Sequence, residues 1–261
     1  MSLKLNALAF GALLLCLACS ESNKTSENTN NKDTVDSTET KDKTSDDKVG
    51  SLAAILEEKK NAWAANAPED RKKLYEAGIQ EVKASGLLEK ALNIGEKAPD
   101  FALKNAKGQL VKLSDYTQKG PVVLTWYRGG WCPYCNLTLR ELQRLLPEFK
   151  ALNASLLALT PELPDKSLST TEKNELQFEV LSDIDNKVAK TYNIVFELYK
   201  PIQEGFKKLE DYNGNNTYEL PLAATYIIDQ KGYIQYAFID ADYRKRAEPS
   251  ELLNFIQQMK E

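Results

Sequence analysis

The chain of 261 residues contains no histidine. That absence removes every mechanism built on an imidazole: Ser-His-Asp hydrolysis, Cys-His proteolysis and His-ligated zinc catalysis. Charge of one sign is also lacking, with 34 Lys and Arg against 38 Asp and Glu. There is thus no basic footprint for nucleic acid, and no block of like charge dominates the chain. No internal repeat is visible. The apolar run from Ala7 to Ala18 is shorter than the roughly 20 residues a membrane-spanning helix needs. Cysteine is scarce, and its four residues fall into two pairs, Cys16 with Cys19 and Cys132 with Cys135. Any chemistry must run on thiols, carboxylates, amines, hydroxyls or a bound cofactor. The length allows one large domain, or one domain with appendages.

What is present at the N-terminus reads as an address. One early Lys, a short apolar run and then Leu17-Ala18-Cys19 followed by Ser20-Glu21-Ser22 fit a signal peptide over residues 1–19. A small residue before a cysteine at the end of such a run resembles a bacterial lipobox, with Cys16 where a Leu is usual. The resemblance implies lipidation of Cys19 and an exported protein held at the membrane of the cell envelope by its lipid anchor. An ordinary cleaved signal is the alternative. Residues 20–50 are Ser, Thr, Asn, Asp, Glu and Lys apart from Val35, Val49 and Gly50. Such a stretch cannot bury enough apolar surface to offset chain entropy and is expected to be a disordered linker.

From residue 51 the pattern changes. Leu52, Ile55 and Leu56 recur at helical spacing. Pro68-Glu69-Asp70 opens a second helix carrying Leu74, Ile79 and Val82, and Gly86 precedes a third short piece. Residues 51–94 are expected to be a helical extension packed on the domain that follows, with a partner-binding surface as the alternative use. Beyond it, Phe101–Leu103 and Leu110–Leu113 flank Lys107-Gly108 as a hairpin, and Pro121–Tyr127 is a continuous apolar, β-branched run suited to a buried central strand. A helix is expected from about Pro133 to Leu152, kinked or shortened by Pro147, with Leu139, Leu142, Leu145 and Leu146 inward. Then come a strand at Ser155–Leu159, helical pieces near Thr170–Leu176 and Asn186–Tyr192, and a strand at Glu179–Leu181 between them. An inserted segment over residues 194–220 is expected to carry a helix near Pro201–Leu209. The hairpin Ala224–Ile228/Tyr233–Phe238 and a final helix from Pro249 complete the chain. This order predicts an α/β, thioredoxin-like domain over residues 95–261: a central mixed sheet flanked by helices, with the helical extension before it.

The chemistry concentrates in Trp131-Cys132-Pro133-Tyr134-Cys135. Two thiols three residues apart share one face of a helix's first turn. A helix start just after a buried strand offers free N–H groups and the positive end of the dipole, which favour a thiolate. Arg128 adds positive potential or holds a peroxide oxygen, and Trp131 either walls the thiols or simply packs. Trp126 and Tyr127 are expected to be packing residues, and Tyr243-Arg244-Lys245-Arg246 a solvated basic patch. Three plainer readings compete. A structural disulfide closing so short a loop constrains the unfolded chain little. Zinc wants four ligands, and one CxxC without His supplies two. An inert thiol pair would not need this strand–turn–helix junction.

These residues carry a resemblance. Trp126–Asn136 with Leu139–Leu142, Gly95–Phe101, Val180–Asp183 with Val188-Ala189, and Ala224–Asp229 with Gly232 resemble the peroxiredoxin-like proteins of the alkyl hydroperoxide reductase/thiol-specific antioxidant branch of the thioredoxin superfamily. The resemblance implies a thioredoxin-dependent peroxidase. A thiolate attacks a peroxide, the neighbouring thiol closes the Cys132–Cys135 disulfide, and a thioredoxin-like reductant restores it, with no metal or organic cofactor. Peroxiredoxins usually place Pro, then Thr or Ser, then the attacking Cys at intervals of four and three. Here those positions hold Arg128, Cys132 and Cys135. Thioredoxin-type proteins attack with the first Cys of CxxC, so both assignments stay open. Helix geometry favours Cys132, expected to be the more exposed. Cys-Pro-Tyr-Cys also resembles a glutaredoxin site, which keeps an exported thiol-disulfide oxidoreductase as the rival function. A tethered interaction module with a relic CxxC is a third possibility.

Overall fold

The computed structural model describes residues 50–259. The expected signal peptide, Cys19 and the linker as far as residue 49 lie outside the described residues. No helix among the described residues is long and apolar enough to cross a membrane.

Three helices open the described chain: α1 (Leu52–Asn66), α2 (Glu69–Ala84) and α3 (Leu87–Lys90). Ser51 caps α1, its hydroxyl accepting the Ala54 N–H at 3.3 Å. Gly86 makes the turn between α2 and α3 at φ +71°, a conformation that costs glycine nothing. Strands β1 (Ala102–Lys104) and β2 (Leu110–Lys112) form the expected antiparallel hairpin, and a short helix α4 (Leu113–Thr117) follows. Then come β3 (Val122–Trp126), α5 (Pro133–Arg144), α6 (Leu146–Ala151), β4 (Ser155–Thr160), α7 (Pro164–Lys173), β5 (Glu179–Ser182) and α8 (Lys187–Thr191). The chain continues through β6 (Val195–Glu197), α9 (Lys200–Gln203), α10 (Leu209–Asn213), β7 (Glu219–Pro221), β8 (Thr225–Ile228), β9 (Ile234–Phe238) and α11 (Pro249–Gln258).

The main sheet has the order β5-β4-β3-β8-β9. Strands β3, β4 and β5 run parallel, and β8 and β9 are antiparallel to their neighbours. It is the mixed sheet flanked by helices that the element order predicts. Every residue of β3 is buried, and its alternation divides the core. Val122, Leu124 and Trp126 join one cluster with Leu157, Leu159, Tyr192 and Tyr226. Val123 points to the other face, where Leu142 and Leu146, Phe149, Leu252 and Ile256 cover it. A third cluster joins Leu52 and Leu56 of α1 to Tyr127, Cys132, Cys135 and Leu139, so the helical extension packs directly on the β3–α5 junction.

The helix beginning at Pro133 is shortened as expected, broken at Leu145 into α5 and α6: Pro147 at the second position of α6 cannot donate the hydrogen bond that would continue α5. Two local expectations need correction. Helix α7 starts at Pro164, six residues before Thr170, and ends before Leu176. The segment 194–220 carries no single helix near Pro201–Leu209. It holds α9, one 3-10 turn over Glu204–Phe206, and α10, bracketed by the β6/β7 pair that registers Val195 on Pro221 and Glu197 on Glu219. Three-residue strands so far apart in sequence leave no local pattern, because the pairing is tertiary.

Phe149 is fully buried where α6 meets the sheet. Phe149→Ala is expected to cost about 3–5 kcal/mol of stability, read from urea unfolding; a loss below about 1 kcal/mol would contradict this packing.

Candidate active site

At the carboxyl end of β3 the backbone runs through Tyr127 to Trp131 and enters α5, with Cys132 as the capping residue and Pro133 at the first turn. The carboxyl edge of parallel strands is where open α/β sheets hold their chemistry. The turn depends on two glycines. Gly129 has φ +148°, and a Cβ there would strike the Trp131 indole; a Cβ on Gly130 would strike the Thr170 hydroxyl. The Cys132 N–H returns to the Gly129 carbonyl at 3.0 Å. The sulfur of Cys132 thereby turns inward, over the first turn of its own helix.

Three donors converge on that sulfur. The Cys135 backbone N–H lies 3.4 Å from Cys132 Sγ, the Cys135 thiol 2.7 Å, and Arg128 Nη2 3.5 Å. Both cysteines are free thiols. A second guanidinium closes the other side, with Arg246 Nη2 3.4 Å from Cys135 Sγ. Burial by itself raises the Cys132 thiol. The hydrogen bond from Cys135 and the charges of Arg128 and Arg246 overcome it and hold Cys132 well below the ordinary thiol range. Burial pushes Cys135 the other way, well above that range, reinforced by its donation to Cys132 and by the negative charge there; the two guanidinium groups oppose this without reversing it. The pair is polarised: Cys132 is the sulfur that ionises more readily, and Cys135 donates to it.

The charges are themselves held. Arg128 is buried, with its guanidinium carbon 4.2 Å from the Tyr243 ring centre and 5.2 Å from that of Trp131. Arg246 Nη1 donates to the Tyr243 and Lys245 carbonyls. Beneath the turn lies a polar ring. Asn136 Nδ2 donates to the carbonyls of Gly130 and Cys132 at 2.8 and 2.9 Å. Asn174 Nδ2 donates to Asn136 Oδ1 at 2.7 Å and to the Thr170 carbonyl at 2.9 Å. Thr170 Oγ1 reaches Glu162 Oε2 at 3.4 Å, and Glu162 Oε1 accepts the Gly130 N–H at 2.9 Å. Glu162 is fully buried, which raises its carboxyl above the usual range although the Gly130 N–H pulls it down.

A cavity of about 250 Å³ opens above Arg128, walled by Trp63, Tyr75, Trp131, Tyr134 and Tyr243. Its floor is the guanidinium that touches Cys132. Trp131 is half-buried, edge-on to Phe206 at 5.5 Å, and serves both as wall and as packing. Trp126 and Tyr127 are buried. Ala223 and Pro221 line a neighbouring apolar cavity whose wall again includes Arg128 and Tyr243. Among the described residues no group of three or more His, Cys, Asp or Glu side chains is arranged to hold a metal ion.

The structure thus brings Cys132, Cys135, Arg128 and Trp131 together. It corrects two expectations. Cys132 is not the more exposed thiol: Cys132 is 0% and Cys135 1% exposed, because Leu52, Leu56, Tyr134 and Leu139 pack around both. What distinguishes the thiols is the donors around each, not access. The second correction concerns Arg246, which is no solvated patch residue. Its neighbours Arg244 and Lys245 pair with Asp242, Glu76 and Asp240 near the surface, while Arg246 turns in to Cys135. Basic runs alone do not reveal which member turns inward. Glu162, Asn136 and Asn174 also escaped sequence reasoning, since nothing local marks a polar residue as the support of a turn distant in sequence.

Comparison with known proteins finds relatives that include a peroxiredoxin and a thiol-disulfide oxidoreductase. Residues 94–237 match the AhpC/TSA family. The peroxiredoxin Bcp of Bacillus subtilis is 30% identical over 141 residues, which cover 54% of this chain and 81% of that protein. The thiol-disulfide oxidoreductase ResA of Bacillus thuringiensis is 26% identical over 138 residues, 50% of this chain and 76% of that one. The crystal structure of peroxidoxin BcpB from Mycobacterium tuberculosis shares the fold, with a TM-score of 0.53 at 20% identity over 65% of this chain and 99% of that one.

The polarised pair has a titration signature. In the reduced protein, thiolate ultraviolet absorbance is expected to rise in two separated steps, one below and one above the ordinary thiol pKa of about 8.5. Stability follows the same signs. The contribution from Cys132 is present above the unfolded thiol pKa and is lost as pH falls through the lowered folded value. That from Cys135 is present below the unfolded pKa and is lost as pH rises through the raised one. Arg246→Gln is expected to move the lower step to higher pH; an unmoved step would remove Arg246 from the site's electrostatics.

Proposed function

The chain belongs to the AhpC/TSA family, and from that premise we propose that it is a thiol-dependent peroxidase reducing hydrogen peroxide or organic hydroperoxides through Cys132 and Cys135. The observation that carries this reading is the convergence of the Cys135 thiol, the Cys135 N–H and Arg128 on Cys132 Sγ. The Cys132 thiolate attacks one peroxide oxygen and the O–O bond breaks. The departing alkoxide or hydroxide takes a proton, leaving a Cys132 sulfenic acid. Arg128, touching the sulfur and flooring the cavity, is placed to hold the peroxide and steady the negative charge that leaves with its second oxygen. The Cys135 sulfur then attacks Cys132, the S–S bond forms and water departs with the thiol proton. An external dithiol, of the thioredoxin type, returns two electrons and restores both thiols. The family's usual pattern would make Cys135 the attacker. The donors around Cys132 favour the opposite order in this chain.

A second reading, a thiol-disulfide oxidoreductase acting on protein disulfides, has the CxxC itself and the likeness to ResA in its favour. Burial of both sulfurs bars direct approach of a protein disulfide and of a protein dithiol alike, so the two readings are separated by the reaction with peroxide. We further propose that the protein is exported and held at the cell envelope through a lipid on Cys19, on the strength of the apolar run, the Ala18-Cys19 step and the polar stretch that follows. Loss of the protein from the membrane fraction in Cys19→Ser tests that; retention would refute it.

Stopped-flow mixing with hydrogen peroxide tests the activity. Wild-type protein is expected to lose both thiols far faster than free cysteine does. Cys132→Ser is expected to lower the rate on the order of a thousandfold or more. Cys135→Ser is expected to stop after one turnover, with a trappable sulfenic acid on Cys132. Slow peroxide reaction with rapid reduction of insulin disulfides would transfer the function to the second reading, and a sulfenic acid found on Cys135 would reverse the order of attack.

A further inference from the structure

We propose that α1 is a gate over the thiol pair, held shut by Glu248, which admits small peroxides and must lift before a protein dithiol can reach the sulfurs. The proposal rests on the dithiol cycle described above and adds to it a selectivity that resides outside the thiols themselves. It begins with a contradiction in access. The Cys132–Cys135 disulfide can be reduced only when an attacking sulfur approaches one of its sulfurs directly. The partner's thiolate forms a mixed disulfide and releases one thiolate of this chain. The partner's second thiol then attacks the mixed disulfide, releases the other thiolate and leaves the partner oxidised by two electrons. With the sulfurs 0% and 1% exposed, no macromolecule can take the first step in the closed structure. The aromatic cavity above Arg128, about 250 Å³, lies below the range of pockets that hold drug-sized ligands. It suits a peroxide and not a polypeptide segment, and it meets the thiols through Arg128, since neither cysteine lines it.

The element that closes the site is lightly attached. Of the fifteen residues of α1, only Leu52 and Leu56 are buried, and both sit in the cluster that holds the two cysteines. The start of the helix is clamped from outside: Glu248 accepts the Leu52 N–H on Oε1 at 3.2 Å and the Ala53 N–H on Oε2 at 3.0 Å. Those are two of the otherwise unpaired donors of the first turn, and the carboxylate lies against the positive end of the helix dipole. Glu248 is two residues from Arg246, whose guanidinium meets Cys135, so the clamp and the site share one short segment. Between α1 and that segment a groove of about 280 Å³ remains unfilled, lined by Ala53, Leu56, Lys60, Arg244 and Arg246. Two buried leucines and one carboxylate hold the start of the helix, while Ile55, Trp63 and Ala64 are only partly buried and Trp63 meets the Tyr75 ring at 5.7 Å; an element with so few fully buried contacts opens locally at lower cost than the core.

The experiment compares labelling of reduced Cys132 and Cys135, assigned residue by residue so that Cys16 and Cys19 do not contribute, by iodoacetamide and by a maleimide carrying a long polyethylene glycol chain, in the full-length wild type, Glu248→Ala and Leu56→Ala, with thermal melts to confirm folding. Each variant is expected to raise the rate of bulky labelling roughly tenfold or more, with a smaller rise for iodoacetamide. In Glu248→Ala the rate of oxidation by hydrogen peroxide is expected to stay within about a factor of two to three. Reduction of the oxidised protein by a thioredoxin is expected to accelerate with the bulky label. An unchanged ratio of bulky to small labelling in Glu248→Ala, folded as the wild type, would overturn the gate, whatever Leu56→Ala does. Because labelling reads access alone, a protein that proved to be no peroxidase would still report whether α1 gates its thiols, and the two ideas fail separately.

Discussion

A sulfur that carries negative charge out of water must find its compensation in the protein. An unpaired buried charge costs several kcal/mol, and a thiol left without help would simply keep its proton. Cys132 escapes this through donors from three directions: its own helix, the neighbouring thiol and a guanidinium from the strand exit. Much of what is unusual in the fold supports that arrangement. Arg128 can remain buried because two aromatic faces and two sulfurs surround it. Arg246 can turn inward because backbone carbonyls satisfy its other nitrogen.

The turn that delivers these groups is supported from below. Gly129 and Gly130 leave no room for side chains, so the backbone itself lies close to Trp131 and Thr170. Backbone groups so placed need partners. The ring of Glu162, Thr170, Asn174 and Asn136 supplies them from the loop after β4, from α7 and from α5. These side chains touch no sulfur, yet they determine where both sulfurs point.

The same burial that sharpens the electrostatics restricts who can reach the site. A dry pocket strengthens every charge–charge contact, and α1 contributes to the dryness with Leu52 and Leu56. Reactivity and access are therefore linked: the helix that helps to exclude water from the thiols also screens them from large partners. A surface CxxC would meet reductant easily but would have to share its charge stabilisation with solvent.

Local pattern alone determined a good deal. The continuous apolar run of β3, the helical spacing after Pro133, the hairpin turns at Gly108 and Gly232, and the Pro68 and Gly86 boundaries are written in neighbouring residues, because turn chemistry and hydrophobic patterning act over a few positions. The reactive centre was legible for the same reason, since both thiols and Arg128 lie within one short stretch at a strand–helix junction. Tertiary structure decided the rest. The β6/β7 pair, the inward turn of Arg246, the buried Glu162 and the closure by α1 each join segments far apart in the chain. Which cysteine carries the charge was decided there too, since the local donors Arg128 and Cys135 on Cys132 act together with Arg246, which folding brings from 111 residues away to the Cys135 sulfur.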